Sequence, residues 1–132
     1  MTTQNDPETT VRRFVEAFDA ADLDTIAACL GENVVAGVTQ RDASTIELRG
    51  RAAYMANIEA LDIATVRPRV WITQIVKVSE DQILFMVEGR ITRKGRTLHN
   101  HAAYLMTINN GQIQRVWMVE ALPEQSDTFW KS

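Results

Sequence analysis

Across residues 11–33 the chain reads VRRFVEAFDAADLDTIAACLGEN, and its apolar side chains recur at helical spacing. Val11, Phe14, Val15 and Phe18 fall three and four apart, which makes one stripe of an amphipathic helix. Asp6-Pro7-Glu8 supplies its start: a capping carboxylate, a proline suited to the first turn and an acid at the positive helix end. The pattern breaks at Ala21-Asp22. Asp22 caps a second helix with Leu23, Ile26, Ala27 and Leu30 on its inner face and Gly31 as its stop. Val34, Val35 and Val38 predict a strand, and Thr45, Ile46, Glu47 and Leu48 a short second one. Gly50 then opens a third helix, RAAYMANIEALD, whose shared face is Tyr54, Ile58 and Leu61, and Pro68 closes the connection.

From Arg69 onward the period becomes two, the strand signature. Long strands are predicted at residues 70–78, 82–92, 97–108 and 112–120. Arg93-Lys94-Gly95-Arg96 makes one hairpin turn. Asn109-Asn110-Gly111 makes the other, because Asn-Gly readily supplies the positive φ angles of a tight hairpin. Pro123 ends the last strand. Helices first and an antiparallel meander afterwards mean an α+β fold, not a parallel βαβ sheet. With no repeat or linker, residues 1–132 read as a single domain whose first five residues fray.

Fourteen basic and seventeen acidic side chains leave a net charge of −3, too little positive surface for nucleic acid as a partner. One cysteine, Cys29, excludes an internal disulfide and any multi-cysteine metal site. The polar opening MTTQNDPETT carries no apolar leader, and no later stretch is long enough to span a bilayer. The expected location is the cytoplasm, with no membrane partner.

The opening VRRFVEAFDAADLDTIAACLGENV, the Gly50-headed third helix and the closing TINNGQIQRVWMVE hairpin resemble the nuclear transport factor 2-like superfamily, in particular its SnoaL-like and ketosteroid-isomerase-like branches. The resemblance covers nearly the whole chain. It implies a cone-shaped fold with three N-terminal helices packed in a curved, mostly antiparallel sheet that leaves a pocket. The superfamily includes isomerases, cyclases, epoxide hydrolases, dehydratases, ligand carriers and dimerisation modules, so the fold alone names no reaction. Positions that match the isomerases' phenol and carboxylate base hold Phe14 and Val38, which can neither donate to an enolate nor accept a proton. The position of their third residue, an acid, falls near Tyr104. Steroid isomerisation of that Tyr/Asp kind is not expected, and no cofactor is implied.

Side chains alternate along a strand, so taking Tyr104 as inward places Asn100, Ala102 and Met106 with it. The family match adds Val116, Met118 and Glu120 from the last strand, and parity selects Phe85, Val87, Gly89 and Ile91. Helical contributions are Phe14, Phe18, Tyr54 and Ile58. The expected cavity is apolar, with Val38 in its wall and Asn100, Tyr104 and Glu120 as its polar groups, the usual make-up of a small-molecule site. A carboxylate withdrawn from water beside Met118 and Val116 has a raised pKa that suits acid–base work. Glu120 is therefore the candidate catalyst, with Tyr104 and Asn100 holding a polar oxygen of the ligand. The competing expectation is a strand-end acid that points to water.

His99 and His101, two apart on one strand, point the same way, and a metal would need further ligands that the sequence does not make obvious. By parity they face away from the pocket; a register shift of one would turn them in and Tyr104 out. The expectation is no metal. The outward set Ala103, Leu105, Ile113, Trp117 and Val119 is apolar, which predicts a homodimer through the sheet, with His99, His101 and Arg115 at the interface. Two functions follow: a protein that binds a small apolar molecule and isomerises, cyclises or hydrates it, or a ligand-binding or dimerisation module without chemistry.

Overall fold

The computed structural model describes residues 6–131, in which five helices accompany one curved six-stranded sheet. The segment expected to fray, residues 1–5, lies outside the described residues. Helix α1 (Pro7–Asp19) starts as its sequence dictates: the Asp6 carboxylate accepts from the Glu8 amide at 3.1 Å, and Val11, Phe14 and Val15 are buried. Ala21 adopts a left-handed φ of 56°, and α2 (Leu23–Cys29) begins two residues later, after Asp22. Its cap, Asp22, accepts from the hydroxyl and amide of Thr25 at 2.6 and 3.1 Å. The hydroxyl bond and then the amide bond hold the Asp22 carboxyl below its ordinary value.

Helix α2 ends at Cys29 rather than at Gly31. Leu30 is already extended, with φ −97° and ψ 135°, and opens strand β1 (Leu30–Thr39) by pairing with Ile113. Sheet pairing takes over residues whose local pattern continues the helix. The burial of Cys29 also raises its thiol pKa, which suits the core role of this residue. Strand β2 (Thr45–Arg49) returns along β1, and α3 (Arg51–Glu59) follows the positive φ of Gly50, at 93°.

The helix count departs from the expected three. A four-residue α4 (Ile63–Val66) lies between left-handed Asp62 and Arg67, too short to carry a period of its own. Strands β3 (Arg69–Lys77), β4 (Gln82–Arg93), β5 (Arg96–Asn109) and β6 (Gln112–Glu120) form the meander. A terminal helix, α5 (Pro123–Lys131), follows. Pro123 thus both stops the sheet and starts a helix, the position where a missing N–H is harmless. The sheet order is β2-β1-β6-β5-β4-β3, antiparallel throughout except where β1 runs parallel to β6.

Both predicted hairpins have positive φ at their two central residues, Lys94-Gly95 and Asn110-Gly111, which suits the twist of the flanking strands. Ile113 corrects the outward set. A bulge between Thr107 and Ile108 shifts the β5–β6 register, so Ile113 pairs with Ile108 and is fully buried. The inner face of the sheet, α1, α2 and α3 enclose one core that includes Ile26, Leu30, Phe85 and Met106. A satellite core of Ile91, Leu98 and Phe129 seats α5. The Arg93 guanidinium caps this helix by donating to the Phe129 and Trp130 carbonyls at 3.0 and 2.9 Å. No helix among the described residues is long and apolar enough to cross a membrane.

Candidate functional site

A cavity of about 450 Å³ lies between α1, the inner face of the sheet and α5. Phe14 and Phe18 enter from α1, Val38 from β1, Phe85 and Val87 from β4, and Ala102 and Tyr104 from β5. Met118 and Glu120 complete the wall from β6. The strand pairing explains this grouping: Tyr104 lies opposite both Phe85 and Met118, and Ala102 opposite Val87 and Glu120. The Phe85 and Tyr104 rings stack at 5.0 Å and 6°.

Four expected lining residues stand elsewhere. Tyr54, Ile58, Met106 and Val116 are buried in the core behind the cavity wall. Tyr54 and Ile58 are on α3, which packs against β1 and β2, and this turns their shared face into the core. Met106 and Val116 pair with each other and are fully buried. Their parity was right, but they lie too far along β5 and β6 to reach the open end of the cone.

The polar end of the cavity is built from three strands and a helix. Glu120 Oε1 accepts from Asn100 Nδ2 at 2.8 Å and from Ser126 Oγ at 3.0 Å. Thr39 fixes the β6 backbone by donating to the Met118 carbonyl at 2.9 Å and accepting from the Glu120 amide at 3.2 Å. Glu120 is thus partly buried and tethered, which corrects the competing expectation of an acid directed to water. Asn100 Oδ1 is buried and, among the described residues, without a partner. An orphaned buried acceptor carries a cost of about 1–3 kcal/mol until a donor reaches it.

The Tyr104 phenol is held protonated by burial and then by the negative charge of Glu120, both of which push its pKa up. Tyr54 is raised in the same direction, by burial and then by Tyr104. At neutral pH the Tyr104 hydroxyl is therefore a hydrogen-bond donor, not a base. A chain of apolar wall, phenol donor, orphaned amide acceptor and carboxylate can orient a polar oxygen on an otherwise apolar molecule.

Helix α5 lies beyond the elements that the sequence pattern predicts, and it contributes Ser126, Asp127 and Trp130 to the cavity. The sequence did carry a signal: Pro123 at a first turn, followed by Ser126, Phe129 and Trp130 at helical spacing. Arg41 clips this helix down, 3.4 Å from Asp127 and 3.6 Å from Glu124. His99 and His101 are exposed on the outer face of the sheet, with their rings 4.7 Å apart.

The SnoaL-like domain model matches residues 11–116, from within α1 through α4 and along the sheet to Val116. The chain belongs to the SnoaL-like domain family. This SnoaL-like domain is 26% identical over 121 residues to an uncharacterized protein of Mycobacterium tuberculosis, covering 91% of this chain and 92% of the relative. Among solved structures it is similar to Bal32a, from a soil-derived mobile gene cassette, with a TM-score of 0.81 and 20% identity over 98% of this chain and 99% of that one. An LEH-like epoxide hydrolase of M. tuberculosis superposes with a TM-score of 0.73 and 18% identity, covering 98% and 92% of the two chains. The M. tuberculosis protein RV0760c, solved with estradiol-17beta-hemisuccinate, gives a TM-score of 0.70 and 20% identity over 86% and 92%. At these identities the likeness shows the fold, and the SnoaL-like cavity must be read from its own side chains.

Proposed function

We propose that this SnoaL-like domain binds a small, largely apolar organic molecule bearing a hydroxyl, and isomerises, cyclises or hydrates it by acid–base chemistry. The observation that carries the reading is the buried Asn100 Oδ1, an acceptor without a donor among the described residues, beside Glu120 at the polar end of an apolar cavity. A ligand hydroxyl that donates to Oδ1 satisfies it, and the Tyr104 phenol donates to the ligand oxygen in turn. Glu120 stands next to that oxygen and exchanges the proton. The steroid ester held by RV0760c is a precedent in this fold for a bulky apolar body with a polar end.

A non-catalytic carrier is the second reading, and one feature favours it. Both hydrogen bonds to Glu120 converge on a single carboxylate oxygen, an arrangement that also serves a purely structural acid. Either way the ligand comes first. Titration with polycyclic alcohols, followed by the fluorescence of cavity-lining Trp130, should give saturable quenching. The matching hydrocarbons without the hydroxyl should bind at least about tenfold more weakly. Equal affinity for both series would remove Asn100 from the proposal.

The proposal extends to a homodimer formed through the outer face of the sheet. Trp71, Leu84, Met86, Trp117 and Val119 are all exposed there, and a patch of that kind marks a partner surface. A second copy offers the same patch about a two-fold axis. Light scattering should return twice the 14.9 kDa mass of one chain; the mass of a single chain would withdraw this part.

A further inference from the structure

We propose that Glu88, His99 and His101 bind one divalent transition-metal ion, of the class that prefers imidazole, on the outer face of the sheet. His99 and His101 stand two apart on β5 and project to the same side. The missing ligand comes from the neighbouring strand: Glu88 of β4 lies directly opposite His101. The sequence hid it because the carboxylate and His99 are eleven residues apart across a hairpin.

The three side chains already converge. His99 Nε2 is 2.7 Å from Glu88 Oε1, and one ligating atom from each residue falls within 4.8 Å of the others. Around a tetrahedral zinc, with bonds of about 2.0–2.1 Å, donor atoms sit about 3.3 Å apart. Side-chain rotation alone closes the difference, because the ligands stand on two directly paired central strands. In its other neutral tautomer His99 keeps its proton on Nδ1 and offers the Nε2 lone pair to the ion, which replaces the contact to Glu88.

Two imidazoles and one carboxylate select zinc, nickel or copper over magnesium or calcium, which take oxygen donors. Trp71 on β3, paired with Glu88, walls one side with its ring 6.3 Å from that of His99. Three protein ligands leave a fourth position, on the face where the second copy is proposed to dock, for a water held there or a donor from that copy. This site is separate from the cavity, because its residues occupy the opposite face of β4 and β5 from Phe85 and Tyr104.

The test uses full-length, tag-free protein stripped with a chelator, titrated with zinc chloride by calorimetry and with cobalt(II) by visible absorption. The expected result is one zinc per chain, unaffected by excess magnesium, and an intense four-coordinate cobalt spectrum. Replacing a residue that only hydrogen-bonds to a metal ligand already costs about 10–100-fold in affinity, so His99→Ala and His101→Ala should each lose more than about 100-fold. Glu88→Gln should weaken binding while leaving the melting temperature of the metal-free protein unchanged. Two outcomes would overturn the site. One is no saturable heat together with a six-coordinate cobalt spectrum in the unaltered chain; the other is binding that persists in both histidine variants.

Discussion

Phe85→Ala should lower the unfolding free energy by about 3–5 kcal/mol, read as a drop in the urea midpoint at constant slope. The ring is 1% exposed, stacks on Tyr104 and sits mid-strand in β4 with β3 and β5 on either side. Its removal takes away both the transfer free energy of the side chain and the packing of the atoms it touched. Domains of this kind have only about 5–15 kcal/mol in reserve, so the loss is a large share of the total. Met86→Ala provides the contrast one residue further on. Met86 points to the opposite face and is 46% exposed, so a lone chain should lose no more than about 0.5 kcal/mol. Equal losses at both positions would contradict the register of the central strands.

Glu120→Gln should lower turnover by about 10²–10⁴-fold, with ligand affinity held within a few-fold. The amide oxygen of glutamine can still accept from Asn100 Nδ2 and Ser126 Oγ, so the tether and the cavity shape survive. What disappears is the charge and the ability to exchange a proton. The variant carries a second readout that does not need a known substrate. The negative charge of Glu120 is one of the two causes that raise the Tyr104 pKa, the smaller after burial. Neutralising it should therefore lower the Tyr104 titration while leaving it above the ordinary phenol value, as followed by tyrosinate absorbance. Unchanged turnover alongside a shifted Tyr104 would make Glu120 an electrostatic neighbour and assign the proton transfer to another group; no turnover in the unaltered chain would leave the carrier reading. Loss of binding together with turnover would make it a positioning residue.

The candidate site is partly legible in the sequence. Alternation along β4 and β5 groups Phe85, Val87, Asn100, Ala102 and Tyr104, because a strand directs every second side chain to one face, and the family resemblance adds Met118 and Glu120 from β6. Alternation goes too far with Met106 and Val116, and the helical stripe does so with Tyr54 and Ile58. Parity reports which side of a sheet a residue faces, not how far along the cone it lies. Ile113 failed for another reason: one extra residue at the β5–β6 bulge reverses parity beyond it. Ser126 and Trp130 were missed because nine residues of mixed polarity after a proline read as a tail until they dock on Ile91 and Leu98.

Local chemistry was enough to determine the capped helix starts at Asp6 and Asp22, the two hairpins with positive φ and the α+β order. Caps, turns and periodicity act over a few residues, so a single stretch of chain carries them in full. Tertiary structure decided the rest. Only pairing with β6 converts Leu30 from helix to strand. Only the approach of α5 gives Glu120 its second donor, and only the β4–β5 register sets Glu88 beside His99. These contacts join residues six to more than eighty positions apart, and their geometry depends on which strands become neighbours. That choice is made by burial of the whole core, which no local window of the sequence contains.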